Sequence, residues 1–254
     1  MNDSSEYSSS ASISNSKRNI KEYESSIRNP EMEILNKQNT HWEETLRNKP
    51  QMFGIKPSES AKKAVGIFKQ NGVKKIIELG GGQGRDTMYF AQNGFEITVV
   101  DYAASGILAI KEISQTMNLT HLITPIQHDL RKSFPFTDES FDACYSHMLY
   151  CMALTTKELE FICLETARIL NPGGINIYTV RNTSDADYKT GIHRGEELHQ
   201  CGMFILHFFS RKTIEALAGP FEIQCIKEFE EGALPKRLYF VVQKKNKIDL
   251  ISLF

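Results

Sequence analysis

The sequence predicts an α/β protein with a doubly wound, mostly parallel, seven-stranded sheet that finishes in a C-terminal antiparallel hairpin. Three observations predict it. Short apolar runs alternate with stretches in which apolar residues recur every three or four positions. A glycine-rich turn, ELGGGQGRD from Glu78 to Asp86, joins the first such run to the helix after it. The last two runs leave no room for a crossover helix between them, so antiparallel pairing is the economical connection.

Taken in order, residues 1–19 are serine-rich without an apolar period, and burial there does not offset the entropy of ordering; a disordered tail is expected. Residues 20–72 read as a helical segment that packs on or caps the core, anchored by Leu35, Trp42, Leu46 and Phe53. Trp42, the single tryptophan, serves either as such an anchor or as part of a lid over a ligand pocket. Ala61, Ala64, Val65 and Phe68 share a helical face, with Ser58 as N-cap and Gly72 as the stop. The main domain is expected over 73–254. Lys74 to Gly80 is its first strand, Arg85 to Gln92 a helix, Phe95 to Asp101 the second strand, and about Ala103 to Met117 the next helix. In LITPIQ, the third strand, Pro125 lacks an N–H and calls for an edge or end position.

Phe141 to His147 forms the fourth strand, and Thr155 with Glu158 gives a capping box for the helix that follows. Asn171-Pro172-Gly173-Gly174 breaks that helix before a fifth strand, Ile175 to Val180. The polar stretch at about 182–209 is too long for a minimal connection and reads as an insertion on the ligand side. Ser210 caps a short helix ending at Gly219-Pro220. Phe221 to Ile226 and Arg237 to Val242 make the hairpin, with its loop near Glu230 to Lys236.

The chain has 254 residues, 41% of them apolar, which suits one α/β core. Its 30 basic and 31 acidic residues lack the positive field a general nucleic-acid binder uses, although that balance leaves room for a local basic patch. Five cysteines, at 144, 151, 163, 201 and 225, form no CxxC pair and fit reduced thiols in the cytoplasm. No secretory leader or membrane span is read, so a cytoplasmic protein without a membrane partner is expected. The oligomeric state leaves no mark in the sequence.

Gly80, Gly82 and Gly84 lack a Cβ, which permits tight turns and close ligand approach, and the amides opening the next helix can receive an anionic group. Gly81 and Tyr102 adjoin the same site. A dinucleotide frame fails, because GxGxxG starting at Gly80 or Gly82 puts Arg85 or Thr87 at the last glycine. Asp101 ends the second strand, where its carboxylate can meet a ribose diol. Asp129 follows the third strand, placed to accept from an adenine amino group with Leu130 beside the ring. An ordinary βα turn and two acids that merely end strands are the plainer alternatives.

These residues resemble the class I S-adenosylmethionine-dependent methyltransferases. Glu78-x-Gly80-x-Gly82-x-Gly84 is similar to their acidic glycine motif, and Asp101 matches their ribose-binding acid. His128-Asp129-Leu130, FPFTDESFDACYSH and LNPGG are also family-like, so the likeness runs from about Lys56 to Lys244. Within the superfamily the chain looks most like small-molecule enzymes of the tellurite-resistance and thiopurine type. The resemblance implies a Rossmann-like methyltransferase fold with S-adenosylmethionine as cofactor. The glycine turn would hold its methionine part, Asp101 its ribose and Asp129 its adenine, with Glu78 supporting the turn. It also implies a small-molecule acceptor, with a peptide or protein acceptor, or a non-catalytic regulator or scaffold binding the same ligand, as alternatives. The absence of an NPPY-like or DPPY-like segment where His147-Met148-Leu149-Tyr150 stands argues against methylation of an exocyclic base amine specifically, not against every nucleic-acid acceptor.

A sulfonium already carries an activated methyl group, so alignment supplies much of the catalysis. A neutral amine or hydroxyl acceptor additionally needs a base. Candidates are His147 and Tyr150 after the fourth strand, and Tyr188 and His193 in the insertion; His147 also borders the expected cofactor site. His147 is a base, an orienting group or a structural histidine. No metal is expected, since His193-x5-His199-x-Cys201, though it could suggest zinc, is not a strong metal-ligand spacing.

Overall fold

Local sequence signals place the helix ends. Ser58 accepts the Ala61 amide at the start of α2 (Glu59–Gln70), behind a longer N-terminal helix, α1 (Pro30–Asn48). The glycine turn leads from β1 (Lys75–Leu79) into α3 (Arg85–Gln92), and β2 (Glu96–Asp101) leads into α4 (Ala104–Thr116). After β3 (Ile123–Gln127) and β4 (Phe141–His147), Thr155 and Glu158 form a complete capping box for α5 (Thr156–Ile169). The structure, a computed structural model, describes residues 30–232 and 236–246. The serine-rich stretch 1–19 and the tip of the C-terminal hairpin lie outside the described residues.

With β5 at Leu170–Arg181, β9 at Phe221–Glu231 and β10 at Lys236–Lys245, a seven-stranded sheet has the order β3-β2-β1-β4-β5-β10-β9. Strands β1 to β5 are parallel, and β10 runs antiparallel to both β5 and β9. The fold is therefore the doubly wound, Rossmann-like sheet with a terminal hairpin. Pro125 lies on the edge strand β3. Strand order reverses between β1 and β4, which opens a crevice at their carboxyl ends.

Strand alternation sends successive side chains to opposite faces. Ile77, Leu79, Cys144, Tyr178 and Val180 pack with α5 residues such as Leu159 and Ile162 on one face. Ile76, Ala143, Tyr145, Ile175 and Ile177 pack on the other with Phe68 of α2, Phe90 of α3 and Ile110 of α4. Each fully buried aliphatic side chain contributes about 1.5–3 kcal/mol. The same parity puts Glu78, Tyr145, His147, Thr179 and Arg181 on the α2–α4 face. Register then lines them up, with Glu78 beside Tyr145 and His147 beside Thr179. Polar groups at the strand ends thus gather on one side of the sheet.

The start of β5 and the insertion are among the segments that differ from the sequence reading. Strand β5 begins at Leu170, so Asn171-Pro172-Gly173-Gly174 lies within the strand at a register shift opposite Phe141 to Ala143. The insertion is folded: β6 (Ile192–His193), β7 (Leu198–Cys201) and β8 (Phe204–His207) make a small antiparallel sheet. A short helix, α6 (Arg211–Leu217), capped by Ser210, returns the chain to β9. Helix α1 packs against α4 and β8. Among the described residues, no helix is long and apolar enough to cross a membrane.

Candidate functional site

The glycine turn is shaped by positions that exclude side chains. Gly80, Gly82 and Gly84 have φ of 73°, 56° and 84°, the left-handed region that glycine enters without strain. At Gly81 the constraint is space, since a Cβ there would sit 2.2 Å from Val99 Cγ2. Asp101 fixes the turn from the neighbouring strand: Oδ2 accepts the Gly82 amide at 2.8 Å and Oδ1 accepts the Ala103 amide at 2.9 Å. Each oxygen keeps a second lone pair. Burial pushes the Asp101 carboxyl up, against the lowering effect of those two amides.

Gln83, inside the glycine run, also joins the turn to the N-terminal segment. Its amide donates to the carbonyls of Leu46 and Lys49 at 2.9 Å, and its oxygen accepts the Met52 amide at 2.9 Å. The end of α1 is held against the turn, and Trp42 and Phe53 face it across a cleft of about 540 Å³. The turn and Glu78, Asp86, Asp101 and Tyr102 line this cleft. His147, Met148, Arg181, Asp187, Glu231, Lys236 and Leu238 line it too, with Phe204 and Leu206 from the insertion. A side chamber of about 60 Å³ shares Gly80, Asp101 and Tyr102 and adds Asp129, Leu130 and Arg131.

Beneath the turn lies a buried polar network. Asp86 accepts the Ser58 amide at 2.8 Å, the Ser58 hydroxyl at 2.6 Å and the Tyr145 hydroxyl at 3.1 Å. Glu78 accepts the Thr87 hydroxyl at 2.5 Å. Burial, with Asp86 nearby, raises the Glu78 carboxyl to about 8, so it stays largely protonated at neutral pH. Burial lowers the affinity of His147 for a proton, although Asp86 and Glu231 oppose it. Met148, next to it, has φ of 63°, an uncommon conformation for a side-chain-bearing residue, at the mouth of the crevice.

Residues 76–174 match the family described as "Methyltransferase domain". A SAM-dependent methyltransferase from Methanosarcina mazei superposes with a TM-score of 0.61 at 20% identity, covering 68% of this chain and 92% of that one. The chain has the class I methyltransferase fold. Burkholderia thailandensis 1,6-didemethyltoxoflavin-N1-methyltransferase is similar at a TM-score of 0.61, with 14% identity over 75% of this chain and 80% of its own. The [4+2]-cyclase SpnF is similar too, at a TM-score of 0.59 and 14% identity over 73% and 81%, so the methyltransferase fold does not by itself fix a reaction. No curated protein matches the sequence.

Within this methyltransferase fold, Glu78, Gly80, Gly81, Gly82, Asp101, Tyr102 and His147 all border the main cleft, and Asp129 and Leu130 border its side chamber. Gly84 opens α3, where a Cβ would lie 2.7 Å from Ile110 Cγ1. Asp129 is held by Arg131, whose Nε and Nη2 donate to it at 3.0 and 2.7 Å. Burial opposes ionisation of Asp129, but those bonds outweigh it and keep the carboxyl below its ordinary range. Three residues singled out from the sequence stand away from the cleft lining. Tyr150 is buried in the core edge-on to Tyr178, Tyr188 donates to Glu197 at 2.9 Å, and the exposed His193 bonds the Glu196 carbonyl. Glu231, Lys236 and Gln83 were not singled out as individual site residues, because a strand-end or turn position alone carries no chemical signature. Among the described residues, no group of three metal-ligating side chains is present.

Proposed function

We propose that this chain transfers a methyl group from S-adenosylmethionine to a small molecule held in the cleft. The observation that carries the reading is the continuity of that cleft, which runs from the glycine turn and Asp101 to the polar wall of His147, Arg181 and Glu231. The cradle suits the cofactor on this structure's own terms: Gly81 has no room for a Cβ, and Asp101 retains free lone pairs beside the turn. The turn would hold the amino-acid part, Asp101 the ribose, and the chamber of Tyr102, Asp129 and Leu130 the base. When bound, S-adenosylmethionine supplies an electrophilic methyl group on a sulfonium.

The protein's own residues then position and desolvate. Trp42 packs 4.8 Å from Phe204 and 6.4 Å from Phe53, ring centre to ring centre, which gives the cleft an aromatic wall that excludes water. The folded insertion lends Phe204 and Leu206 to that wall, which favours a small acceptor over a peptide lying in an open groove. Within the superfamily this supports the small-molecule branch expected from the sequence. Calorimetry with S-adenosylhomocysteine tests the cofactor site, and formation of that product across a panel of small acceptors tests transfer. Absence of S-adenosylhomocysteine binding would remove the basis of the proposal.

A further inference from the structure

Both ring nitrogens of His147 are engaged. Nδ1 lies 2.9 Å from Ser60 Oγ and 2.9 Å from Thr179 Oγ1. Thr179 Oγ1 already accepts the Met148 amide at 3.0 Å, so its own hydrogen is free to point at Nδ1. Nε2 faces Glu231 Oε2 at 3.3 Å, while the other Glu231 oxygen accepts the Glu59 amide at 3.1 Å, at the start of α2. That carboxylate is acceptor-only, which places the ring proton on Nε2 and leaves Nδ1 to accept from a hydroxyl. Held this way, His147 has no lone pair left for an incoming molecule. Glu231 has, because among the described residues Oε1 accepts one amide, Oε2 has only the 3.3 Å contact with His147, and its side chain borders the cleft.

We propose that Glu231, oriented by the His147 Nε2–H and the Glu59 amide, is the group that takes the acceptor's proton, and that the acceptor reacts through a nitrogen or oxygen bearing hydrogen. This rests on the methyl-transfer reading above. The acceptor's N–H or O–H bond breaks, its electron pair stays on the heteroatom, and the proton passes to a Glu231 oxygen, leaving that side chain neutral. His147 is a positioning residue.

Two measurements on the full chain test the proposal. Calorimetry compares S-adenosylhomocysteine with sinefungin, which has an ammonium-bearing carbon where the cofactor has its methylsulfonium. Glu231→Gln preserves shape and removes the charge; S-adenosylhomocysteine affinity is expected to stay constant while sinefungin affinity falls about tenfold. Equal changes for the two probes, or none, overturn the assignment of Glu231. Failure of the wild-type chain to bind either probe instead overturns the cofactor site, and this proposal with it. Nitrogen-15 NMR of histidine-labelled protein is expected to show a neutral His147 protonated on Nε2, and protonation on Nδ1 overturns the arrangement without reference to any ligand.

Discussion

Gly106, in the first turns of α4, tests whether the cofactor turn depends on close backbone approach. Replacing a helix-interior glycine by alanine ordinarily stabilises a protein by about 1 kcal/mol. At Gly106 the added Cβ would lie 2.4 Å from the Gly82 carbonyl oxygen and 3.2 Å from its carbon. Both are backbone atoms, so relief requires the turn and α4 to separate by at least about 0.6 Å to reach the 3.0 Å below which such contacts are essentially never seen. Overpacking of this kind costs about 1–3 kcal/mol, which equals or exceeds the helix gain. The Gly82 amide, bonded to Asp101 at 2.8 Å, moves with its carbonyl. Gly106→Ala is therefore expected to forgo the helix gain, lower stability by up to about 2 kcal/mol and lower S-adenosylhomocysteine affinity at least about tenfold. Urea denaturation and calorimetry measure the two effects. Gly66→Ala is the control, on the exposed face of α2 with nothing within 4 Å of the added carbon. If Gly106→Ala is as stabilising as the control and binds with wild-type affinity, the close-approach argument is wrong.

Asp101→Ala removes the acceptor of two backbone amides as well as the proposed ribose contact; calorimetry is expected to show affinity for S-adenosylhomocysteine reduced at least about tenfold. Glu78 has a folded-state pKa raised to about 8 from 4.5, so the folded state holds a proton that the unfolded chain has released, and stability is lost as pH rises between those values. Glu78→Gln should remove this dependence, which is on the order of a few kcal/mol between pH 5 and 8 and is readable by urea denaturation at each pH. Thr155→Ala breaks the capping box of α5 and should cost about 1 kcal/mol without changing cofactor affinity. Trp42 is the only tryptophan and borders both chambers, so S-adenosylhomocysteine should alter the intrinsic fluorescence.

Where a segment's apolar period ran over several residues and a cap or glycine closed it, the sequence was enough. The capping box at Thr155, the turn before α3 and the edge placement of Pro125 all rest on such local chemistry. The insertion escaped because β6, β7 and β8 have two, four and four residues, too few to display an alternation. Strand β9 runs to Glu231, five residues past the expected end, because its half-exposed tail, KEFEE, reads as polar loop until it is paired with β10. Site legibility divides along the same line. The glycine turn, Asp101 and Asp129 sit in local motifs. Glu231 meets His147 only because β10 and β9 fold back beside β5, a contact between residues 84 positions apart that no local pattern contains. Tyr150 follows the strand end in sequence, yet the chain turns it inward against Tyr178.

The two rims of the large sheet carry different deterrents to intermolecular pairing. One rim is β3, five residues long with a proline at its centre, so an arriving strand finds a short template with one backbone donor missing. The opposite rim is β9, more than twice that length and a far better template on size alone. There Glu222, Lys227, Glu228 and Glu230 stand exposed, and a register shift in its pairing with β10 bends the ladder. Charge and curvature thus do for the long rim what brevity and proline do for the short one. Neutralising those glutamates is the change that would leave the molecule open to fibrous growth.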